Sequence, residues 1–157
     1  MQFRPYIDSD KRYIFRNLSF LPNLYPNSLD WLEKSLSSVD QRSSFCHVAC
    51  IGQRVVGSIL TKLKTNRTAK ICNIFVGDLY REKNVGTKLM NLHLSRLHDL
   101  GTEEAVITFD DSISASISPF LIKNEFAHLD SILNLYGPDR REFIYGAKIV
   151  ECRQRVN

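Results

Sequence analysis

Apolar and polar positions alternate in short runs that divide the chain into a succession of brief elements. Phe3 to Ile7 is apolar enough for a first strand, and Asp8-Ser9-Asp10 then offers capping side chains for a helix carrying Tyr13, Ile14 and Leu18. Pro22 and Pro26 bracket an aromatic loop at Leu24-Tyr25. A second helix is predicted from Asn27 or Ser28, with Leu29, Trp31, Leu32, Leu36 and Val39 mainly three or four residues apart. Residues 44–51 and 54–64 are rich in β-formers and flank Gly52-Gln53, which has the length of a tight hairpin turn. The basic stretch Lys62 to Lys70 makes a second hairpin into Ile71 to Val76, so three antiparallel strands follow the two helices.

Residues 85–100 carry Leu89, Leu92, Leu97 and Leu100 on a helical stripe, with Gly101 where a left-handed cap is wanted. Ala105 to Phe109 reads as a buried strand, which makes residues 71–109 a strand, helix, strand crossover and implies a parallel pair. A short helix ends near Lys123-Asn124, with Pro119 acceptable only in its first turn. Two last strands, 129–136 and 141–149, surround the turn tripeptide Gly137-Pro138-Asp139. The expected fold class is α/β of the α+β type: a mixed, mostly antiparallel seven-stranded sheet flanked by about four helices. Residues 1–149 are expected to form one domain, and 150–157 a tail.

Composition narrows this picture without redirecting it. With 157 residues, 43% of them hydrophobic, the chain suits one domain with a real core. Seven Gly and five Pro are few, which excludes collagen-like, linker-like and low-complexity chains. A net charge of +4 falls short of the dense positive stripe of a dedicated nucleic-acid binder, though it suits an anionic ligand. No stretch approaches a membrane span, and Met1 to Pro5 opens unlike a signal peptide, so no membrane role and a cytoplasmic location are expected. Cys46, Cys50 and Cys72 lie in strand-like runs and, with Cys152, are expected reduced. Cys46-His47-x-x-Cys50 is not expected to bind metal, because alternation sends His47 to the face opposite the two thiols.

The segment from Ile74 to Leu89 carries the chemistry. A strand runs through a short polar turn straight into a helix, and N–H groups at the helix start without an internal partner can converge on an anion. Gly86 lets a phosphate approach the main chain, Thr87 adds a hydroxyl, and Arg81, Lys83 and Lys88 add positive charge. The same segment would also serve as an ordinary strand-to-helix turn with solvated basic residues.

Arg81-Glu82-Lys83-Asn84-Val85-Gly86 resembles the hallmark of the GNAT superfamily of acetyl-CoA-dependent N-acetyltransferases, which is Arg or Gln, two residues, Gly, one residue, then Gly or Ala. It matches at Arg81 and Gly86 and departs at Asn84, a residue type that tolerates positive φ. The element order over residues 1–149 is similar to that family too. The resemblance implies acetyl-CoA as co-substrate, no metal, and a cofactor turn made of Arg81, Glu82, Lys83, Asn84, Val85, Gly86, Thr87 and Lys88. It also implies that backbone N–H groups at Ile74, Phe75 and Val76 hold the thioester carbonyl. Where the family usually has Tyr-x-x-x-Gly-Phe, with the Tyr as general acid, this chain has Leu121-Ile122-Lys123-Asn124-Glu125-Phe126, so acid and glycine are both missing.

Tyr136 is the preferred substitute acid because it adjoins a turn, and Tyr145 is the other candidate; either can equally be packing. No carboxylate stands on residues 70–76 to serve as base; Asp110 and Asp111 are the nearest acidic pair, and they can equally cap a helix. Tyr25 and Trp31 are candidates for the acceptor pocket, and His93 and His98 are expected to face solvent. Three functions follow: transfer of acetyl to a primary amine of a small molecule or peptide; CoA binding without turnover; and a toxin-like transfer onto aminoacyl-tRNA, for which Lys62, Lys64, Arg67 and Lys70 would meet RNA. The first leads, RNA is the less favoured partner, and a homodimer stays open.

Overall fold

The computed structural model describes residues 1–149, so the predicted tail and Cys152 lie outside the described residues. Seven strands form one mixed sheet in the order β1-β2-β3-β4-β5-β7-β6, and five α-helices lie among the described residues. The strands are β1 Gln2–Pro5, β2 Ser44–Ile51, β3 Arg54–Leu63, β4 Thr68–Val76, β5 Glu104–Asp110, β6 Ala127–Leu133 and β7 Arg141–Lys148. The helices are α1 Lys11–Asn17, α2 Leu21–Leu24, α3 Ser28–Ser37, α4 Val85–Asp99 and α5 Ser114–Lys123. The chain packs as two compact units, Met1–Lys62 with Cys72–Asn91, and Leu63–Ile71 with the chain from Leu92 onward.

In the first unit β2 pairs antiparallel with β1 and with β3, the β2–β3 hairpin closing at Ile51 opposite Arg54 across a left-handed Gly52. Ile14, Leu18, Leu32 and Leu36 from the helices bury against Cys46, Val48, Val55 and Leu60 of the strands. Each such aliphatic side chain contributes about 1.5–3 kcal/mol on leaving water. Asp10, itself buried, ties β1 to α1: it accepts both arms of the Arg4 guanidinium at 2.7 and 2.8 Å and the Ile7 amide at 3.0 Å. Burial raises the Cys46 thiol to about 12, so it stays protonated and inert.

In the second unit the first half of β4 pairs parallel with β5, Thr68–Ile71 opposite Glu104–Ile107, which is the predicted crossover pair. β7 lies antiparallel between β5 and β6, in register from Glu104 opposite Lys148 to Asp110 opposite Glu142. β6, the last strand of the sheet, is exposed along its length except at Ile132, which is half-buried.

Several local expectations shift. The stretch predicted as a loop holds α2, with Pro22 at its start, where a missing N–H costs nothing. Trp31 and Leu29, predicted on the buried stripe of α3, are 38% exposed; Ser28, Leu32, Ser35 and Leu36 are the buried face. In α4 the buried stripe is Leu89, Met90, His93, Leu94 and Leu97, while Leu92 and Leu100 lie outside it. His93 is thus fully buried rather than solvated, because four-residue steps put it between Leu89 and Leu97. Pro119 stands inside α5 rather than in its first turn, since a 3-10 turn capped by Asp110 starts the helix early. β6 ends at Leu133, three residues before the predicted Tyr136, because Asn134 turns left-handed.

Candidate functional site

The turn from β4 into α4 lies wholly within the first unit. Gly77 donates its N–H to Val56 O of β3 at 2.9 Å, and a 3-10 turn, Asp78–Tyr80, follows. Helix α4 seats its first turn on β3 at Gly57, where an added Cβ would meet Phe75 O at 3.2 Å and the Leu89 and Val85 side chains at 3.3 and 3.4 Å. A glycine there lets the helix start lie close to the strand. Val85, Leu89 and Met90 are buried and fix the helix in that place.

Between these anchors the backbone turns left-handed twice, at Glu82 (φ 58°) and Asn84 (φ 59°). Asn84, at the family's glycine position, therefore adopts the conformation a glycine would supply. Arg81, Glu82, Lys83, Asn84 and Lys88 are exposed, while Gly86 and Thr87 are half-buried. The Lys88 amide donates to Asn84 O at 3.0 Å as the helix begins, and N–H groups ahead of it in the first turn have no acceptor upstream in the helix. The positive end of the α4 dipole falls at the same place.

The basic side chains have partners in the turn itself. Arg81 donates from Nε to Val76 O at 3.0 Å and pairs with Asp78 at 3.0 Å. Lys83 donates to Leu79 O at 2.9 Å and lies over the Tyr80 ring, and the Lys88 ammonium lies 5.6 Å from the centre of the Phe3 ring. Arg81 and Lys83 thus brace the turn as well as charging it. Ile74, Phe75 and Val76 are half-buried on the last part of β4, and the Phe75 ring packs against Phe20 at 6.3 Å. Tyr25 is half-buried beside the core of this unit; Trp31 is exposed, with the Lys62 ammonium 5.8 Å from its ring.

In the second unit Asp110 and Glu142 face each other across β5 and β7, and Arg140 lies between their carboxylates. Asp110 accepts from Arg140 at 3.0 and 2.7 Å and, with its other oxygen, from the Ser112 amide at 2.8 Å. Arg140 also donates to Glu142, which is fully buried, at 3.1 Å. Burial raises the Asp110 pKa, but the hydrogen bonds from Ser112 and Arg140 outweigh it and leave the carboxyl below its ordinary value. Asp110 is therefore occupied by a helix start and an ion pair. Asp111 is exposed.

Of the two candidate acids, Tyr145 packs among rings, 5.2 Å from Phe109 and 5.5 Å from His128, whereas Tyr136 is 43% exposed on the β6–β7 turn. Leu121, at the family's acid position, is fully buried. Among the described residues no group of three or more His, Cys, Asp or Glu side chains could hold a metal ion, and no helix is long and apolar enough to cross a membrane. Sequence reasoning missed Arg140: its partners are set by strand register, and only its place beside a turn and a strand with Glu142 could have signalled it.

The profile of the acetyltransferase (GNAT) family matches residues 12–117. The chain belongs to that family. It is accordingly an acyltransferase, and its sheet and helices have the GNAT fold. Similar solved structures include an aminoglycoside 6'-N-acetyltransferase complexed with coenzyme A, at 14% identity and TM-score 0.76 over 95% of this chain and 97% of that one. A GNAT-family acetyltransferase from Staphylococcus aureus Mu50 aligns at 19% identity and TM-score 0.78, over 94% and 98%. Another from Elizabethkingia anophelis, with acetyl-CoA bound, aligns at 12% identity and TM-score 0.71, over 94% and 97%. No curated protein matches the chain significantly. Within the GNAT fold the turn from Arg81 to Lys88 joins the fourth strand to the longest helix of the described residues.

Proposed function

We propose that this GNAT enzyme transfers the acetyl group of acetyl-CoA to a primary amine by direct attack, with the turn from Arg81 to Lys88 holding the diphosphate of CoA. The observation that carries the reading is the backbone at Glu82 and Asn84: two left-handed residues lead directly into the first turn of a helix, where N–H groups and the helix dipole favour an anion. Half-buried Gly86 leaves the main chain open to a phosphate oxygen, and the coenzyme-bound structures named above support the choice of anion.

In the reaction the lone pair of the neutral amine would attack the thioester carbonyl carbon, the new C–N bond replaces the C–S bond, the sulfur leaves as thiolate, and the nitrogen gives up its proton to solvent water. N–H groups of Ile74, Phe75 and Val76 would steady the carbonyl oxygen as charge develops there. The exposed Tyr136 hydroxyl is the proton donor this reading favours, with Leu121 buried and Tyr145 packed among rings. A thiol pKa near about 8.5 makes the leaving group tolerable without an acid, so the departure from the family pattern at Leu121 does not preclude turnover. Tyr25 and the exposed Trp31 would meet the acceptor, and reduced thiols suit a cytoplasmic setting. RNA as the acceptor's carrier loses support, because Lys62 donates to Ser35 at 2.9 Å and Arg67 pairs with Glu103.

Calorimetry with acetyl-CoA tests the cradle. Gly86→Val should weaken binding by about ten- to a hundredfold, the loss of one or two charge-assisted hydrogen bonds. Unchanged affinity in a folded variant would place the coenzyme elsewhere.

A further inference from the structure

Strand β3 carries an extra residue where it meets the coenzyme turn. Its register with β2 steps from Gly57 opposite Ala49 to Val55 opposite Cys50, so Val56 is inserted between the two pairs. A bulge of this kind bends the strand and turns its backbone groups out of the regular ladder. Val55, Val56 and Gly57 are all buried, so the bend is fixed by the groups of the protein that touch it.

Each of the three residues holds a different element. Val55 O accepts from the side-chain amide of Asn17, the last residue of α1, at 3.2 Å. Val56 O accepts from Gly77 N, at the entry to the coenzyme turn, at 2.9 Å. Gly57 admits Leu89 and Val85 of α4, at the exit of that turn, 3.3 and 3.4 Å from where its Cβ would stand. The end of α1 reaches the same place a second time: Phe20 packs on Phe75, whose carbonyl oxygen lies 3.2 Å from that Cβ position. Ile14 and Leu18 bury in one cluster with Val55, which keeps the Asn17 amide within reach of its acceptor. Such apolar packing sets proximity without direction, whereas a hydrogen bond sets direction as well.

We infer that Asn17 is a positioning residue for coenzyme binding: through Val55 it holds the bulged segment 55–57, on which both ends of the turn between Gly77 and Leu89 rest. This rests on the reading of residues 81–88 as the coenzyme cradle and deepens it, because the backbone of the cradle then depends on helix α1, which lends it no residue.

Asn17→Leu in the full chain, close in shape but without the donor, tests it through two readouts. Calorimetry with acetyl-CoA should show binding weakened about threefold or more, the share of one neutral hydrogen bond. Amide exchange followed by NMR should quicken about threefold or more at Gly77, which bonds to Val56 O, while Leu36 in α3 of the same unit changes less than about twofold. Asn17→Asp, which keeps the shape and turns the donor into an acceptor, should do the same and serves if the leucine variant does not fold. Wild-type affinity or wild-type exchange at Gly77 overturns the inference. So does exchange that quickens equally at Gly77 and Leu36, because it marks a general loosening of the unit. Unchanged acetyl-CoA affinity in a folded Gly86→Val protein would instead sink the coenzyme cradle, and the role of Asn17 with it.

Discussion

The turn into α4 and the turn between β6 and β7 both run through left-handed residues that are not glycine, yet they are held by opposite means. At Glu82 and Asn84 the charged side chains stay at the surface and lean back on carbonyls of their own turn, Arg81 on Val76 and Lys83 on Leu79. At Asn134 and Asp139 the holding charges are largely withdrawn from solvent, with Arg140 set between Asp110 and a fully buried Glu142. Exposed pairs contribute about 0–1 kcal/mol, whereas removing one partner of a buried pair costs about 3–5 kcal/mol. The first turn is therefore free to present its backbone to an anion, and the second is free to present side chains.

The sharpest way to break that division is Tyr136→Phe, which keeps the ring and removes only the hydroxyl. If the second turn supplies the proton donor, kcat should fall about a hundredfold while acetyl-CoA affinity stays unchanged, since general acid catalysis is worth that much. Steady-state rates beside calorimetry separate the two effects. A kcat within about twofold of wild type would make Tyr136 an acceptor contact only and leave the thiolate to depart unassisted, which its modest basicity allows.

Acid sensitivity is a smaller effect and, of these two turns, should belong to the second, where the Asp110 carboxyl is held below its ordinary value. Asp110 has a folded pKa below its unfolded value, so as pH falls the unfolded chain takes up its proton first. Its stabilisation is complete above the ordinary carboxylate range near about 4 and is lost as pH falls through the lower folded value. Urea denaturation at stepped pH should show wild-type stability declining over that window, and Asp110→Asn should be less stable at neutral pH with a flatter acid decline. An equal decline in the two proteins would mean that other carboxylates carry the acid response.

How much of this was legible beforehand follows from the range of the interactions. Element order, the Gly52 hairpin, the crossover pair and the strand-to-helix turn at residues 77–85 all depend on periodicity or on neighbours a few residues apart, which a sequence displays directly. The side of α4 that carries His93 was not legible, because a leucine stripe read as Leu89, Leu92, Leu97 and Leu100 competes with the stripe through Leu89, His93 and Leu97 that the sheet buries. The end of β6 was missed for a local reason: Leu135 and Tyr136 look like strand, but Asn134 bonds its side chain to the Asp139 amide and turns the chain first. Arg140 was invisible because Asp110 and Glu142 meet only through the register of β5 with β7.

The smallest effect concerns a third left-handed position, Glu125 at φ 69°, just past α5, where the resembling family usually has glycine. Here a backbone closure accounts for the conformation: Phe126 N bonds Leu121 O at 3.0 Å, and the chain must turn left-handed to make it. A side chain in that region costs about 1–2 kcal/mol, while a glycine gives back about 0.4–1 kcal/mol through a freer unfolded state. Glu125→Gly should therefore stabilise the protein by about 0.5–1 kcal/mol in urea denaturation without altering acetyl-CoA affinity. The matching change in the coenzyme turn, Asn84→Gly, should gain less, because asparagine already tolerates the conformation. If Asn84→Gly gained as much as Glu125→Gly, asparagine would be a poor stand-in for the family glycine, and the backbone of the coenzyme turn would be held under strain like that at Glu125.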